Sequence, residues 1–192
     1  MMLTYSTRLL ASTMILCTSA VHVSAEQPDA PGDWPQFRGH QAAGVGDDQR
    51  LPVTWDITTG SNIRWKTSIP GLGHACPIAV GDRIFILTAD NGGDDASLRV
   101  GLYGDIAPVE GESAHAWRLY CLARNTGQIL WQRTLHQGQP KVKRHTKATH
   151  ANSTPATDGR HVVVMLGSEG LFCLDLCGRQ LWSRDMGVLD SG

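Results

Sequence analysis

The sequence predicts an all-β fold, a β-propeller of repeated antiparallel units, of which this chain of 192 residues holds about two and one further strand. Three observations predict it. A tryptophan recurs at positions 65, 131 and 182 with similar neighbours. A turn feeding a β-branched strand occurs twice in one register. No segment after the first 25 residues keeps the 3.6-residue apolar period of a helix, which excludes helical solenoids.

Residues 1–25 carry Arg8, an apolar run from Leu9 to about Val21 and a small-residue end at Val23-Ser24-Ala25. This is the layout of a secretory signal peptide cut after Ala25. Ser12, Thr13, Thr18, Ser19 and His22 interrupt the run, against the roughly 20 apolar residues a spanning helix needs. Cys17 follows Leu16 and not a small residue, which argues against a lipid anchor. The expectation is an exported protein of the periplasm or cell envelope, not spanning the membrane. Residues 26–62 are expected to be an N-terminal extended segment, and residues 63–192 the repeats.

The tryptophan strands are Ile63-Arg64-Trp65-Lys66-Thr67-Ser68-Ile69, Ile129-Leu130-Trp131-Gln132-Arg133-Thr134-Leu135 and Gln180-Leu181-Trp182-Ser183-Arg184-Asp185-Met186. Trp65 and Ile69, Trp131 and Leu135, and Trp182 and Met186 lie four apart, on one face of a strand. Between them, residues 77–86 align without a gap on residues 155–164, with Gly81 and Gly159 in their turns. Leu119-Tyr120-Cys121-Leu122 then matches Leu171-Phe172-Cys173-Leu174, and Gly127 or Gly178 turns each copy into its tryptophan strand. The loop of about residues 90–117 makes the first unit longer than the second. Each unit is the periodic signature of a propeller blade.

The Pro-x-x-x-Gly strand, the Leu-aromatic-Cys-Leu strand, Asn125-Thr126-Gly127-Gln128-Ile129-Leu130-Trp131 and the closing Gly178-Arg179-Gln180-Leu181-Trp182 resemble the pyrroloquinoline-quinone-like (PQQ-like) β-propeller repeat. Asp33-Trp34-Pro35-Gln36-Phe37-Arg38-Gly39 is similar to the start of exported bacterial members, and the likeness extends over about residues 33–187. The family includes quinone-dependent dehydrogenases and the non-enzymatic propeller of the outer-membrane β-barrel assembly machinery. The resemblance therefore implies a fold before a function. A propeller has about 4 to 8 blades. The remaining blades are expected from a longer chain or from oligomerisation, with the strand at residues 63–69 as a closing strand.

Composition narrows the function. Lys and Arg total 17 against 18 Asp and Glu, and 41% of residues are hydrophobic. Such a chain is not a disordered tail, a collagen-like fibre or a basic nucleic-acid binder. Charge is uneven, −6 over residues 26–110 and +4 over residues 111–192, an asymmetry that would help orient a partner.

The richest polar stretch, residues 141–154, holds Lys141, Lys143, Arg144, His145, Lys147, His150 and Asn152. These are the candidate residues for an anionic ligand or a partner loop, although no Gly-rich phosphate cradle accompanies them and a solvated inter-blade loop explains them too. Asp90-Asn91-Gly92-Gly93-Asp94-Asp95 offers the oxygen donors calcium prefers but fails the EF-hand spacing, and is expected to be an acidic loop. Cys121 and Cys173, at equivalent repeat positions, are expected to be buried thiols, with Cys76 and Cys177 the remaining cysteines of the exported chain.

The resemblance implies, for the quinone enzymes, a bound calcium, a catalytic Asp, a tryptophan beneath the quinone and often a disulfide between adjacent cysteines. No two cysteines here are adjacent, and Trp65, Trp131 and Trp182 sit at blade-packing positions. The expectation is a non-catalytic scaffold that meets envelope proteins through its loops, with no catalytic residues, metal or cofactor. The alternative is the N-terminal part of a quinone-dependent oxidoreductase using PQQ with calcium.

Overall fold

The structure, a computed structural model, describes residues 32–46, 51–93 and 108–189. The expected signal peptide, and Asp94 and Asp95 of the acidic loop, lie outside the described residues. The first sheet comprises β1 (Ile78–Val80), β2 (Arg83–Asp90), β3 (His115–Ala123) and β4 (Ile129–Gly138), in that order and all antiparallel. The second repeats it with β5 (Ala156–Thr157), β6 (His161–Met165), β7 (Leu171–Asp175) and β8 (Gln180–Arg184). Two four-stranded antiparallel meanders of this form are propeller blades. No helix among the described residues is long and apolar enough to cross a membrane.

The repeat extends to the hydrogen-bond register. Cys121 faces Trp131 and Cys173 faces Trp182, and each pair is followed by a bulge at the next residue of the cysteine strand. Ile78, Phe85, Leu87, Trp117, Leu119 and Cys121 of the first blade and Val162, Val164, Phe172 and Leu174 of the second form one buried cluster. Alternation within the strands sends these residues into the space between the sheets. Four-strand sheets bury too little alone, so each blade uses its neighbour as the other half of its core.

The tryptophans make the junctions. Trp65 donates its indole N–H to the carbonyl of Arg124 at 2.9 Å, and Thr67, two residues on, donates to the carbonyl of Gly127 at 2.7 Å. One repeat later Trp131 donates to Leu176 at 3.1 Å, and Arg133 donates to Gly178 at 2.9 Å. Gly127 and Gly178 have φ of +70° and +82°, and each lies under the ring that covers it. A Cβ at Gly127 would come within 2.3 Å of Trp65, and one at Gly178 within 2.9 Å of Trp131. Glycine is required there both for the left-handed turn and for the close approach of the ring. Trp182 occupies the third such position and is 40% exposed.

Residues 63–69, the expected closing strand, pair with no ladder among the described residues. Their exposure nevertheless alternates from Ile63 to Ile69. The segment runs strand-like across the first blade, held by Trp65 and Thr67 and not by a neighbouring strand.

The N-terminal segment of residues 32–35 fastens the inner edges of both blades. Trp34 exchanges two backbone hydrogen bonds with Ala79 of β1, at 2.7 and 2.9 Å, and Thr157 of β5 donates to the carbonyl of Pro35 at 2.9 Å. Asp33 accepts the Gly81 N–H at 2.9 Å, and Arg124 reaches the carbonyl of Gly32 at 2.6 Å.

Candidate functional site

At one end of the first blade β2 stops at Asp90, β3 starts at His115, and β4 ends at Gly138, opposite His115. The connection from β4 to β5 leaves from this same end. It folds back because the buried Thr149 forms a local knot. The Thr149 hydroxyl accepts the Ala151 N–H at 3.0 Å and donates to the Asn152 side chain at 2.8 Å, which also accepts the Thr149 N–H at 3.1 Å. His74 and Ala75 donate to the carbonyl of Ala151 at 3.0 and 2.9 Å, and the buried Trp117 donates its indole N–H to the carbonyl of His150 at 2.8 Å. These bonds fix the backbone of His150 over the start of β3.

Four side chains meet there. Glu112 accepts from Arg144 Nε on Oε1 at 2.7 Å and from His150 Nε2 on Oε2 at 2.9 Å. Arg144 also donates to the carbonyl of Ala148 at 2.9 Å. His115 Nδ1 donates to the carbonyl of Ser113 at 2.8 Å. The rings of His115 and His150 meet edge-on at 4.9 Å, and both lie against Trp117, at 5.8 and 5.9 Å. A cavity of about 50 Å³ opens between His115, Arg144 and His150 on one side and Asp90, Asn91 and Gly71 on the other.

Burial raises the pKa of Glu112, but hydrogen bonds and charge from His150 and Arg144 outweigh it and hold the carboxyl below its usual range. The pKa of His115 is lowered too, by burial and the nearby His150 despite the bond to Ser113, which for a base favours the neutral form. The site is therefore an ionised carboxylate clamped by a guanidinium, beside a neutral buried imidazole.

Of the candidate residues in the basic run, the structure brings only Arg144 and His150 into this cluster, with Asn152 shaping the loop behind them. Lys141 turns toward the second blade, donating to the carbonyl of Ser168 at 2.8 Å and lying 3.5 Å from Asp185. Lys143 pairs with Glu110 at 2.7 Å. His145 and Lys147 are exposed, and the His145 ring accepts the Lys147 N–H at 3.1 Å. Glu112 and His115 were not among the candidates.

In the acidic loop Asp90 accepts the Gly92 N–H at 2.9 Å and pairs with Arg118, while Asn91 accepts the Gly93 N–H at 3.0 Å. All four described cysteines are free thiols, with Cys121 and Cys173 buried as expected.

Residues 114–189 match the family model described as outer membrane protein assembly factor BamB. The match runs from the start of β3 to the end of the described second blade, and this part of the chain is a PQQ-like repeat segment. No curated protein matched the chain in a separate comparison.

Proposed function

We propose that these PQQ-like repeats belong to an exported, non-catalytic β-propeller that binds other proteins of the cell envelope through the loops at one end of its sheets. The observation that carries the reading is the family match over residues 114–189, since the matched family is described as an assembly factor and not as an enzyme. The loop chemistry supports it. Lys141, Lys143 and Arg144 already have carboxylate partners within the chain, which suits a rigid binding surface better than a pocket for a free anion.

Further blades complete the ring. Trp182, with Leu181, Val163 and Cys173, lines an open groove of about 610 Å³ on the second sheet. Its repeat equivalent Trp131 covers the glycine turn of the following blade, so the groove is the seat of another such turn, from a longer chain or a second copy.

Export is tested by N-terminal sequencing of the protein from its native source, where Glu26 is the expected first residue. Binding is tested by a pull-down from envelope extract; recovery of no partner overturns the scaffold. Titrating purified protein with PQQ and calcium tests the alternative. Saturable binding with dye reduction would replace the scaffold by a quinone-dependent oxidoreductase.

A further inference from the structure

Glu112, His115 and His150 offer three ligand atoms that all lie within 4.8 Å of one another. We infer that these three side chains form a binding site for a divalent ion of the zinc class, with a fourth coordination position open to the adjoining cavity. The donor set selects the ion. Two imidazoles and one carboxylate are a recurrent zinc set with one position left for water, whereas calcium takes 6 to 8 oxygens. Tetrahedral zinc–ligand bonds of about 2.0 to 2.2 Å place donors about 3.3 to 3.6 Å apart, so a pair at the outer limit of 4.8 Å must close by about 1.2 to 1.5 Å.

The lone pairs and outer contacts suit this geometry. His115 spends its Nδ1 proton on Ser113, which leaves Nε2 as a bare lone pair. A metal-bound histidine ordinarily donates its other ring nitrogen to such a carbonyl, fixing tautomer and direction. Arg144 occupies Oε1 of Glu112 and leaves Oε2 facing His150. The His150 Nε2 proton that now bridges to Oε2 is the group the ion replaces; the imidazole tautomerises, its proton moving to Nδ1. Trp117 walls the site on its inner side. The cavity of about 50 Å³ admits water for the fourth position.

The ligands come from separate parts of the chain. Glu112 lies on the approach to β3, His115 opens β3, and His150 belongs to the loop that enters the second blade. An ion there staples the inter-blade loop to the first blade, independently of whether the propeller is a scaffold or an enzyme. Ligand binding to the folded state alone raises stability by mass action.

Cobalt(II) titration of the purified chain, with zinc competition and thermal unfolding, tests the site. One cobalt per chain is expected, with the visible bands of four-coordinate nitrogen and oxygen ligation, displaced by zinc, and with a raised unfolding temperature. Ligand removal should cost more than the 10- to 100-fold of an outer-contact change, so His115→Ala and His150→Ala should bind at least about 100-fold more weakly. Glu112→Gln keeps the shape and guards against a misfolded variant; it should retain the fold by circular dichroism and lose the bands. His145→Ala should bind as the unmodified protein does. Absence of the bands in the unmodified protein, their survival in folded Glu112→Gln and His115→Ala, or near-ultraviolet thiolate bands marking cysteine ligands would overturn the site.

Discussion

Replacing Gly127 by alanine should destabilise the protein by about 2 to 7 kcal/mol, against about 1 kcal/mol for the same change at Gly81. Both glycines have positive φ, +70° and +55°, so both variants incur about 1 to 2 kcal/mol of left-handed strain. Both also recover about 0.4 to 1 kcal/mol from a less flexible unfolded chain. A Cβ at Gly81 meets nothing within 4 Å, and there the reckoning stops. At Gly127 the Cβ would sit 2.3 and 2.5 Å from two ring carbons of Trp65 and 2.7 Å from the Thr67 hydroxyl. The ring must retreat by about 1 Å, an overpacking cost of about 1 to 3 kcal/mol. That retreat stretches the Trp65–Arg124 bond, and the displaced Thr67 loses its hold on Gly127, at about 0.5 to 1.5 kcal/mol each. Gly178→Ala should fall between the two, because its nearest contact with Trp131 is 2.9 Å. Urea unfolding followed by far-ultraviolet circular dichroism measures all three. A double-mutant cycle of Gly127→Ala with Trp65→Leu should show a coupling of at least about 1 kcal/mol, in the range for residues in contact. Equal losses at Gly81 and Gly127, within about 0.5 kcal/mol, would refute the junction as drawn.

Burial pushes the Cys121 thiol up to about 11, and it raises Cys173 as well, while Cys177 is exposed. Iodoacetamide at pH 8 followed by peptide mass spectrometry should label Cys177 readily and Cys121 only after urea is added; comparable rates on the folded protein would contradict the buried position. Asp158 is raised by partial burial, but hydrogen bonds from His161 and Arg160 more than reverse this and hold its carboxyl at about 2. Since that lies below the ordinary value of about 3.9, its contribution to stability is complete above pH ~4 and lost as pH falls through about 2. Asp158→Asn should therefore lower the unfolding midpoint slightly at pH 7 and by progressively less as pH falls toward 2, and carbon NMR of the carboxyl should show titration near 2.

The blades were legible because the chain states the same interactions twice. Tryptophan, the residue two positions on and the next glycine turn recur in order, and each recurrence makes the same bonds: Trp65 and Thr67 to the turn at Gly127, Trp131 and Arg133 to the turn at Gly178. Residues 63–69 keep the strand pattern without a partner strand among the described residues. Their alternation was visible in the sequence and is kept in the structure, but a strand is defined by its partner, and a segment does not encode whether a partner lies beside it.

The cluster at the end of the first blade follows a different logic, and this is why the sequence hid half of it. Clustered charge along the chain made residues 141–147 conspicuous, yet alternating exposure from Lys141 to Ala148 sends neighbouring side chains to different surroundings. Lys141 turns to Ser168 and Asp185, Lys143 to Glu110, and Arg144 inward to Glu112. Glu112 and His115, three apart, would lie on opposite faces of a regular strand. They converge because β3 begins only at His115 and the chain before it bends at Gly111. His150 joins them from 38 residues beyond Glu112, through the Thr149–Asn152 knot and the bond from Trp117. The group is a product of loop closure between two blades, and no local spacing carries it. What the sequence does carry is each separate cause: a serine carbonyl two residues before a histidine, a threonine three before an asparagine, and a tryptophan deep enough to hold a loop carbonyl.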